Sequence, residues 1–255
     1  MKVFITGASS GIGEALAVYY AGKGATLGLA ARRAEALTAL NQRLGGGHAC
    51  YALDVTDALA LHDAASDFIT RFGAPDIVIA NAGVSAGTLS EHEEDLVAFR
   101  RIMDTNVYGM AASFAPFIKP MQASGGERRL VGIASVAGIR GLPGAEAYSA
   151  SKAAAITYLE SLRLEMRPSG IKVVTIAPGY VATPMTAVNL YKMPFLLPAA
   201  MAAKRFAAAI ARGTSYTVIP WPMGIVAKLL RILPNGLYDR LFTSAPRKPR
   251  GLPPA

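Results

Sequence analysis

Val3-Phe4-Ile5-Thr6-Gly7-Ala8-Ser9-Ser10-Gly11-Ile12-Gly13 opens the chain with an apolar run that leads directly into a glycine-rich turn. The apolar run predicts a strand, and a helical pattern begins near Gly13. Between a strand and a helix, glycines let the backbone approach a pyrophosphate, while free N–H groups and the helix dipole stabilise its charge. We therefore predict a dinucleotide-binding turn here, rather than an ordinary connection between a strand and a helix.

Short apolar runs alternate with helical patterns along the first two-thirds of the chain, which is typical of a parallel sheet covered by helices on both faces. Candidate strands cover residues 2–5, 26–30, 49–53, 77–80, 130–134, 173–177 and 216–219. Candidate helices cover residues 13–22, 35–44, 58–72, 94–121, 146–166 and 199–212. We predict an α/β fold, a doubly wound parallel sheet of the Rossmann type in three αβα layers.

The composition describes a globular protein. Hydrophobic residues make up 52% of the 255-residue chain and charged residues 17%, too apolar for disorder and too often interrupted for a set of membrane spans. We predict one catalytic domain over residues 1–220, whose irregular stretch at about 180–201 is typical of a lid. Residues 221–255 form a basic, apolar C-terminal extension, and its end at 246–254 is expected to be disordered.

Cysteine and histidine usage argues against disulfides and metal sites. Cys50 is the single cysteine, and the three histidines, His48, His62 and His92, lack the spacing of metal ligands. The chain begins Met1-Lys2 and enters an apolar run that ends at Thr6-Gly7, so no signal-peptide pattern precedes the fold. We expect a cytoplasmic protein without a structural metal.

The positive charge is concentrated at the C-terminal end. There are 14 basic and 16 acidic residues up to Met166, but 12 basic residues and one acidic residue, Asp239, after it. Such asymmetry is typical of a contact with nucleic acid or a membrane surface, or of a solvated basic face. We favour the solvated face and predict no nucleic-acid partner.

The end of the second candidate strand bears on cofactor choice. A dinucleotide fold for NAD places an acid there for the ribose 2′-OH, whereas this chain reads Ala30-Ala31-Arg32-Arg33. Guanidinium groups complement a 2′-phosphate, so we predict NADP(H), with Arg32 as the stronger candidate; the alternative is that both arginines face solvent.

Asp54 and Asn81-Ala82-Gly83 end the next two strands, at the edge where ligands bind. Asp54 could accept from the adenine amino group.

Tyr148 and Lys152 lie four residues apart at the start of a long helical pattern, which puts both on one helix face. A nearby ammonium favours phenolate and lowers the pKa of a phenol, which makes tyrosine a usable acid or base. Ser135 follows the fifth candidate strand and could hold a substrate oxygen. Asn106, inside a helical stretch, could bond backbone and hold a water. There is no nucleophilic triad pattern.

Taken together, these residues resemble the short-chain dehydrogenase/reductase family in its single-domain form, over roughly residues 2–185. The matching motifs are Thr6-Gly7-x-x-x-Gly11-x-Gly13, Asp54, Asn81-Ala82-Gly83, Asn106, Ser135, Tyr148-x-x-x-Lys152, Pro178-Gly179 and Thr183. The resemblance implies catalysis by Asn106, Ser135, Tyr148 and Lys152. The residues expected to bind cofactor are Gly7, Ser9, Ser10, Gly11, Ile12, Gly13, Arg32, Arg33, Asp54, Asn81, Ala82, Gly83, Tyr148, Lys152, Pro178, Gly179, Val181 and Thr183.

The expected activity is NADP(H)-dependent reduction of a lipophilic ketone or aldehyde, or oxidation of the secondary alcohol. The alternative is a redox-sensing protein that binds the dinucleotide without catalysis. An apolar lid, with Met185, Leu190, Tyr191, Met193, Phe195, Leu196 and Leu197, favours a small apolar substrate. The resemblance also suggests a homodimer or homotetramer. The helical pattern at 225–233 either packs over the cleft or another subunit, or lies on the inner face of an anionic membrane.

Overall fold

The computed structural model describes residues 1–245 and 247–251. Within that part of the chain the strands are β1 Lys2–Thr6, β2 Thr26–Ala31, β3 Ala49–Ala52, β4 Ile77–Ala80, β5 Arg129–Ile133, β6 Lys172–Pro178, β7 Val181–Ala182, β8 Leu197–Pro198 and β9 Tyr216–Ile219. The helices are α1 Gly11–Ala21, α2 Ala34–Arg43, α3 Ala58–Phe72, α4 Asp95–Met103, α5 Gly109–Ser124, α6 Glu146–Met166, α7 Pro184–Ala187, α8 Ala199–Arg212, α9 Trp221–Ile232 and α10 Asn235–Phe242.

Seven strands form one sheet in the order β3-β2-β1-β4-β5-β6-β9, and every pairing is parallel. The strands are buried on both faces, which is why they are continuous apolar runs; Val3, Phe4 and Ile5 of β1 have no exposed surface. The strand order reverses between β1 and β4, which leaves a crevice at their carboxyl ends. The cofactor turn lies at this crevice.

Helices cover both faces of the sheet. On one face Leu16 of α1, Leu37 of α2 and Phe206 of α8 belong to the same buried cluster. On the other face Phe68 of α3 and Leu159 of α6 belong to a second buried cluster. The prediction of a doubly wound parallel sheet in three αβα layers is confirmed.

The helix predicted over 94–121 is not continuous. Its first part, α4, ends at Met103, a π-helical turn covers Asp104–Tyr108, and α5 begins at Gly109. A π turn adds one residue to the hydrogen-bonded ring without breaking the helical rod, so the apolar periodicity of the sequence hides it. Such turns are frequent at functional sites, and this one contains Asn106.

The lid stretch contains β7, α7 and β8, and β7 pairs with β8 in a small separate sheet. Beyond β9, α9 and α10 pack back on the sheet domain. Arg140 holds them there, because its guanidinium donates to the carbonyl oxygens of Leu230 at 2.6 Å and Leu233 at 2.8 Å. In the described part of the chain, no helix has both the length and the apolarity needed to cross a bilayer.

The expectation of a disordered end is wrong for residues 247–251, which fold back on the protein. Arg250 forms ion pairs with Glu94 and Asp95, both at 2.9 Å, and the Gly87 N–H donates to the Pro249 carbonyl at 2.9 Å. These contacts are made with residues far away along the chain, so the local composition could not reveal them. The rest of the predicted disordered end, residues 246 and 252–254, lies outside the described residues.

Candidate active site

A cleft of about 300 Å³ opens where β1 and β4 end. Nine of the residues predicted to bind cofactor line it: Gly7, Ser9, Ser10, Arg32, Arg33, Asp54, Asn81, Ala82 and Gly83. Residues that follow β2, β3 and β4 and residues of the turn after β1 therefore line one cleft, as the sequence predicts.

The glycine-rich turn is packed too tightly for larger residues. Gly7 has φ of +66°, and a Cβ there would lie 2.8 Å from the Cα of Ala82. A Cβ on Gly13 would overlap the carbonyl oxygen of Gly7. The Asn81 amide donates to the carbonyl oxygens of Thr6 at 3.1 Å and Gly7 at 3.2 Å. These hydrogen bonds hold the turn against the end of β4.

The N-terminus of α1 faces this turn without a side-chain cap. Ser10 is the N-cap residue in an extended conformation, and its hydroxyl makes no capping hydrogen bond. The first N–H groups of a helix have no partner within the helix, so they remain available to an anion. A dinucleotide pyrophosphate fits this seat, which agrees with the chemistry predicted from the glycines.

Both arginines that follow β2 border the cleft. The Arg33 guanidinium donates to the hydroxyl of Ser9 at 3.1 Å and to its carbonyl oxygen at 3.3 Å. Arg33 therefore crosses from β2 to the glycine-rich turn, while Arg32 lines the same wall. Ala31 is buried beside them and presents no carboxylate.

Asp54 adopts a turn rather than capping a helix. Its Oδ1 accepts from the backbone N–H and the hydroxyl of Thr56, both at 2.9 Å. Asp57 is the cap of α3, because its carboxylate accepts from the Ala60 N–H at 3.0 Å. Asp54 is therefore not the cap of α3, and it lines the cleft.

The remaining cofactor candidates lie outside the lining of this cleft. A Cβ on Gly11 would lie 3.2 Å from the Cβ of Thr183, so the α1 turn and the start of the lid are in contact. Ile12 packs against the core, and Val181 is buried within it. Any contact that the Val181 position makes with a cofactor therefore has to come from its backbone. Pro178 and Gly179 end β6 and lead into the lid; Pro178 is buried.

Tyr148 and Lys152 lie in the first two turns of α6, as predicted. The Lys152 ammonium donates to the carbonyl oxygen of Ile133, at 2.9 Å, and lies 5.8 Å from the centre of the Tyr148 ring. Only 4% of Lys152 is exposed, and burial lowers the pKa of its ammonium to about 8. The lysine is thus tied to the end of β5, two residues before Ser135.

The pKa of Tyr148 differs from the expectation based on Lys152 alone. Burial raises the pKa of the phenol, and a hydrogen bond with the Ser135 hydroxyl opposes that rise only in part. The net shift is opposite in direction to the lowering that the spacing of Tyr148 and Lys152 predicts. Tyr148 therefore keeps its proton at neutral pH, which suits a group that donates a proton to an oxygen.

Asn106 is fully buried and holds three elements together. Its amide oxygen accepts from the Val84 N–H at 2.8 Å, and its amide nitrogen donates to the Val84 carbonyl at 2.9 Å. The same nitrogen donates to the Ser151 hydroxyl at 3.0 Å, and Ser151 donates to the Tyr148 carbonyl at 2.8 Å. The predicted bonding of the Asn106 amide to backbone is present, and it connects the loop after β4 with α6.

A second cavity has a volume of about 270 Å³. Ser135 and Tyr148 border it, and the lid contributes Tyr180, Met185 and Tyr191. Of the other apolar lid residues, Leu190 is 92% exposed, Phe195 and Leu196 are exposed, and Leu197 is buried in the core. The lid is therefore less apolar toward the cavity than its sequence suggests.

Sequence reasoning missed several residues of the site. The Thr6 hydroxyl accepts from the backbone N–H groups of Asn81, at 3.2 Å, and Ala82, at 3.3 Å. Its place at the strand end before Gly7 was a usable signal. Ser151 stands within the Tyr148–Lys152 motif and could also have been noticed. Lys248 borders the second cavity, and no local pattern identifies it.

Known proteins resemble this chain over most of its length. A family model described as short chain dehydrogenase matches residues 1–192. A Myxococcus xanthus (strain DK1622) protein named an uncharacterized oxidoreductase is 39% identical over 238 residues, covering 92% of this chain and 93% of that protein. An Arabidopsis thaliana protein named 11-beta-hydroxysteroid dehydrogenase-like 2 is 36% identical over 254 residues, covering 95% and 82%. The solved structure of a short-chain dehydrogenase from Streptomyces avermitilis is similar with a TM-score of 0.80 and 26% identity, over 94% of this chain and 93% of that one.

Proposed function

This chain belongs to the short-chain dehydrogenase family of oxidoreductases, and we propose that it uses NADP(H) to reduce a lipophilic ketone or aldehyde, or to oxidise the corresponding secondary alcohol. The observation that carries the proposal is the cluster of Ser135, Tyr148 and Lys152, of which Ser135 and Tyr148 line the second cavity. A protein that only sensed the dinucleotide would have no need of that cluster. The substrate oxygen is expected beside the Ser135 and Tyr148 hydroxyls.

The protein's own side chains supply the proton. When bound in the cleft, a nicotinamide dinucleotide supplies or accepts the hydride. In the reducing direction, the Ser135 hydroxyl hydrogen-bonds to the carbonyl oxygen and Tyr148 donates its proton to that oxygen. The raised pKa of Tyr148 supports this direction, because the phenol holds its proton at neutral pH.

Lys152 and Asn106 support Tyr148. The Lys152 ammonium, bonded to the Ile133 carbonyl, adds positive charge close to the phenol ring and favours the phenolate that remains after proton donation. Asn106 fixes the loop after β4 relative to α6 through Val84 and Ser151. We propose that this connection also holds the route by which Tyr148 regains a proton.

Three features support NADP(H) over NAD(H). Ala31 stands at the position where a carboxylate would bond the ribose, Arg32 lines the cleft, and Arg33 reaches the Ser9 hydroxyl. Two guanidinium groups beside the adenosine end of a cleft complement a 2′-phosphate and leave a 2′-OH without its usual acceptor.

The second cavity supports a lipophilic substrate. Its walls include Val136, Ala137, Leu142 and Pro143, and the phenol rings of Tyr180 and Tyr191 close it on the lid side. A relative at 36% identity is named as a hydroxysteroid dehydrogenase-like protein. Both observations favour an apolar carbonyl compound over a small hydrophilic one.

The test is NADPH oxidation across a panel of ketones and aldehydes of graded apolarity, with Tyr148→Phe as the matched variant. We expect turnover that rises with substrate apolarity, and we expect the variant to lose it while NADPH still quenches protein fluorescence with unchanged affinity. Absence of turnover across the panel, with NADPH binding intact, would favour the alternative of a redox-sensing binding protein. Unimpaired turnover by Tyr148→Phe would reject the assigned chemistry.

A further inference from the structure

The C-terminal tail crosses the edge of the second cavity. Arg250 is anchored by Glu94 and Asp95, and the Gly87 N–H bonds the Pro249 carbonyl. Gly87 is required there, because a Cβ would overlap the carbonyl oxygen of Lys248. The anchors at Pro249 and Arg250, the two residues that follow Lys248, determine where Lys248 lies.

Lys248 directs its ammonium into the cavity wall. The ammonium donates to the Ser85 hydroxyl at 3.0 Å and to the Met185 carbonyl at 3.2 Å. Ser85 belongs to the loop after β4 and Met185 to the lid, so the lysine connects the two sides of the opening. Lys248 borders the same cavity as Tyr148.

The charge of this ammonium is not balanced by a protein carboxylate. In residues 1–245 and 247–251, Lys248 takes part in no ion pair, and Glu94 and Asp95, the acids that the tail contacts, are bound by Arg250. Burial disfavours the charged form and lowers the pKa of the Lys248 ammonium. An ammonium has three donors, of which neutral oxygens use two. A partly buried cation beside an apolar cavity is stabilised when an anion joins it.

We propose that Lys248 binds a carboxylate of the substrate, at the opposite end from the carbonyl that Ser135 and Tyr148 engage. This inference rests on the proposed function and narrows its substrate class to amphipathic oxo acids. The apolar body would lie along Leu142, Phe242 and Ala245, which line the same cavity.

The experiment compares oxo acids with their methyl esters, which share a carbon skeleton but lack the charge. The probes are 5-oxohexanoate, 7-oxooctanoate and 9-oxodecanoate, each with its ester, reduced with NADPH. We expect the wild type to have a KM for at least one acid that is ~10-fold or more below that of its ester, the effect of one charge-assisted hydrogen bond. Lys248→Met should remove the difference by raising the KM of the acid alone, and Lys248→Arg should restore part of it.

The control is Lys204→Met, which removes an exposed lysine of α8 outside the cavity lining and should leave the preference intact. Equal KM values for acid and ester in the wild type, or an unchanged preference in Lys248→Met, would overturn the proposal while leaving the proposed function standing. If no probe is reduced, the melting temperature is measured with decanoate and with decanol. Decanoate should raise the melting temperature of the wild type more than decanol does, and the two compounds should have equal effects on Lys248→Met. An equal decanoate shift in the two proteins would overturn the assignment of Lys248.

A second surface is independent of the cavity. Helix α9 packs on the protein through Met223 and Ala227, and the opposite face carries exposed apolar side chains at helical spacing. The exposed fractions are 71% for Trp221, 51% for Ile225, 55% for Leu229 and 76% for Ile232. Leu237 and Leu241 of α10 add two more exposed apolar side chains. We call these six residues the apolar stripe.

Cations accompany the stripe. Lys228, Arg231 and Arg240 are exposed on the same two helices, and the chain after Met166 has 12 basic residues against one acidic residue. A second copy of the chain on this face would bring like charges together, whereas a bilayer with anionic headgroups would accept both the apolar residues and the cations. We infer that the apolar stripe binds an anionic membrane surface. Phe242, at the end of α10, lines the substrate cavity, so this surface lies next to the route of a lipophilic substrate.

The test is sedimentation with vesicles of phosphatidylcholine, with and without 30% phosphatidylglycerol, at low salt. We expect the wild type to sediment with the anionic vesicles only and the double variant Ile225→Asp/Leu229→Asp to stay in the supernatant. Leu59→Glu changes a residue of α3 that is 78% exposed, away from the stripe, and should behave as the wild type. Failure of the wild type to sediment would overturn the inference, and so would a dimer in light scattering that the double variant abolishes.

Discussion

The Lys152 ammonium donates a hydrogen bond to the Ile133 carbonyl, which ties α6 to the end of β5, two residues before Ser135. This bond sets the position of one catalytic candidate, while the helical spacing of four residues sets the position of Tyr148. Backbone elements therefore locate Lys152 and Tyr148, and a hydrogen bond connects Tyr148 with Ser135.

The buried position of Lys152 predicts a pH dependence. Its pKa is lowered to about 8, so the ammonium is present below pH 8 and is lost as the pH rises through that value. Because Tyr148 keeps its proton over the same range, kcat/KM for NADPH should fall above pH 8 with one ionisation. The measurement is kcat/KM from pH 6 to 10 at fixed ketone. A profile that stays flat to pH 10 would contradict the role given to Lys152.

The arginines after β2 predict cofactor preference. Replacing both Arg32 and Arg33 with Ala should raise the KM for NADPH by about 10-fold or more, because two charge-assisted contacts with the 2′-phosphate are lost. The KM for NADH should change little. Arg43→Ala is the control, since Arg43 pairs with Glu14 outside the cleft lining. If the KM values for NADPH and NADH rose by the same factor, the arginines would not be binding the 2′-phosphate.

The hydrogen bonds of Asn106 lead us to predict that this residue stabilises the fold. Asn106→Ala leaves the buried N–H and carbonyl of Val84 without the amide partner, which should cost about 3 kcal/mol of unfolding free energy. Ser151→Ala removes one bond to the same amide and should cost about 1 kcal/mol. Urea unfolding measures both. If Asn106→Ala were as stable as Ser151→Ala, the amide would not be the connection between the β4 loop and α6.

Sequence alone was sufficient for the sheet and the cofactor turn. Parallel strands buried on both faces have to be continuous apolar runs, and the turn after β1 has to be glycine-rich because the Gly7 and Gly13 positions leave no space for a Cβ. Tyr148 and Lys152 could be paired because an α-helix has a fixed period. These features depend on local geometry, which restricts the residue types at neighbouring positions and is therefore visible in the sequence.

The remaining features depend on contacts between distant segments. Lys248 is 163 residues from Ser85 in the chain, and the bond between them exists only because the tail folds back. The π turn at Asn106 leaves the apolar period nearly unchanged. The direction of the Tyr148 pKa shift depends on how deeply the phenol is buried, which spacing from Lys152 does not describe.

Arg140 predicts how the C-terminal extension is held. Its guanidinium bonds the carbonyls at the end of α9 and lies 4.0 Å from the centre of the Tyr238 ring, so Arg140→Ala should release α9 and α10 from the sheet domain. We expect limited proteolysis to cut the variant within residues 221–245 at least ~10-fold faster than the wild type. The control is Arg231→Ala, an exposed position on α9. Equal cleavage rates would mean that apolar packing alone holds the extension.

The glycine-rich turn predicts a contrast between two glycines. A methyl group at Gly13 would overlap the Gly7 carbonyl, whereas one at Gly236, in the first turn of α10, would meet nothing within 4 Å. Gly13→Ala should therefore lower the unfolding free energy by about 2 kcal/mol and weaken NADPH binding by about 10-fold, since the turn has to move away from the α1 N-terminus. Gly236→Ala should be neutral or slightly stabilising, because alanine favours helix. Urea unfolding and NADPH fluorescence titration measure the two effects separately. A Gly13→Ala protein that is destabilised but binds NADPH normally would show that the close approach serves packing of α1 only, and that the pyrophosphate seat lies elsewhere in the cleft.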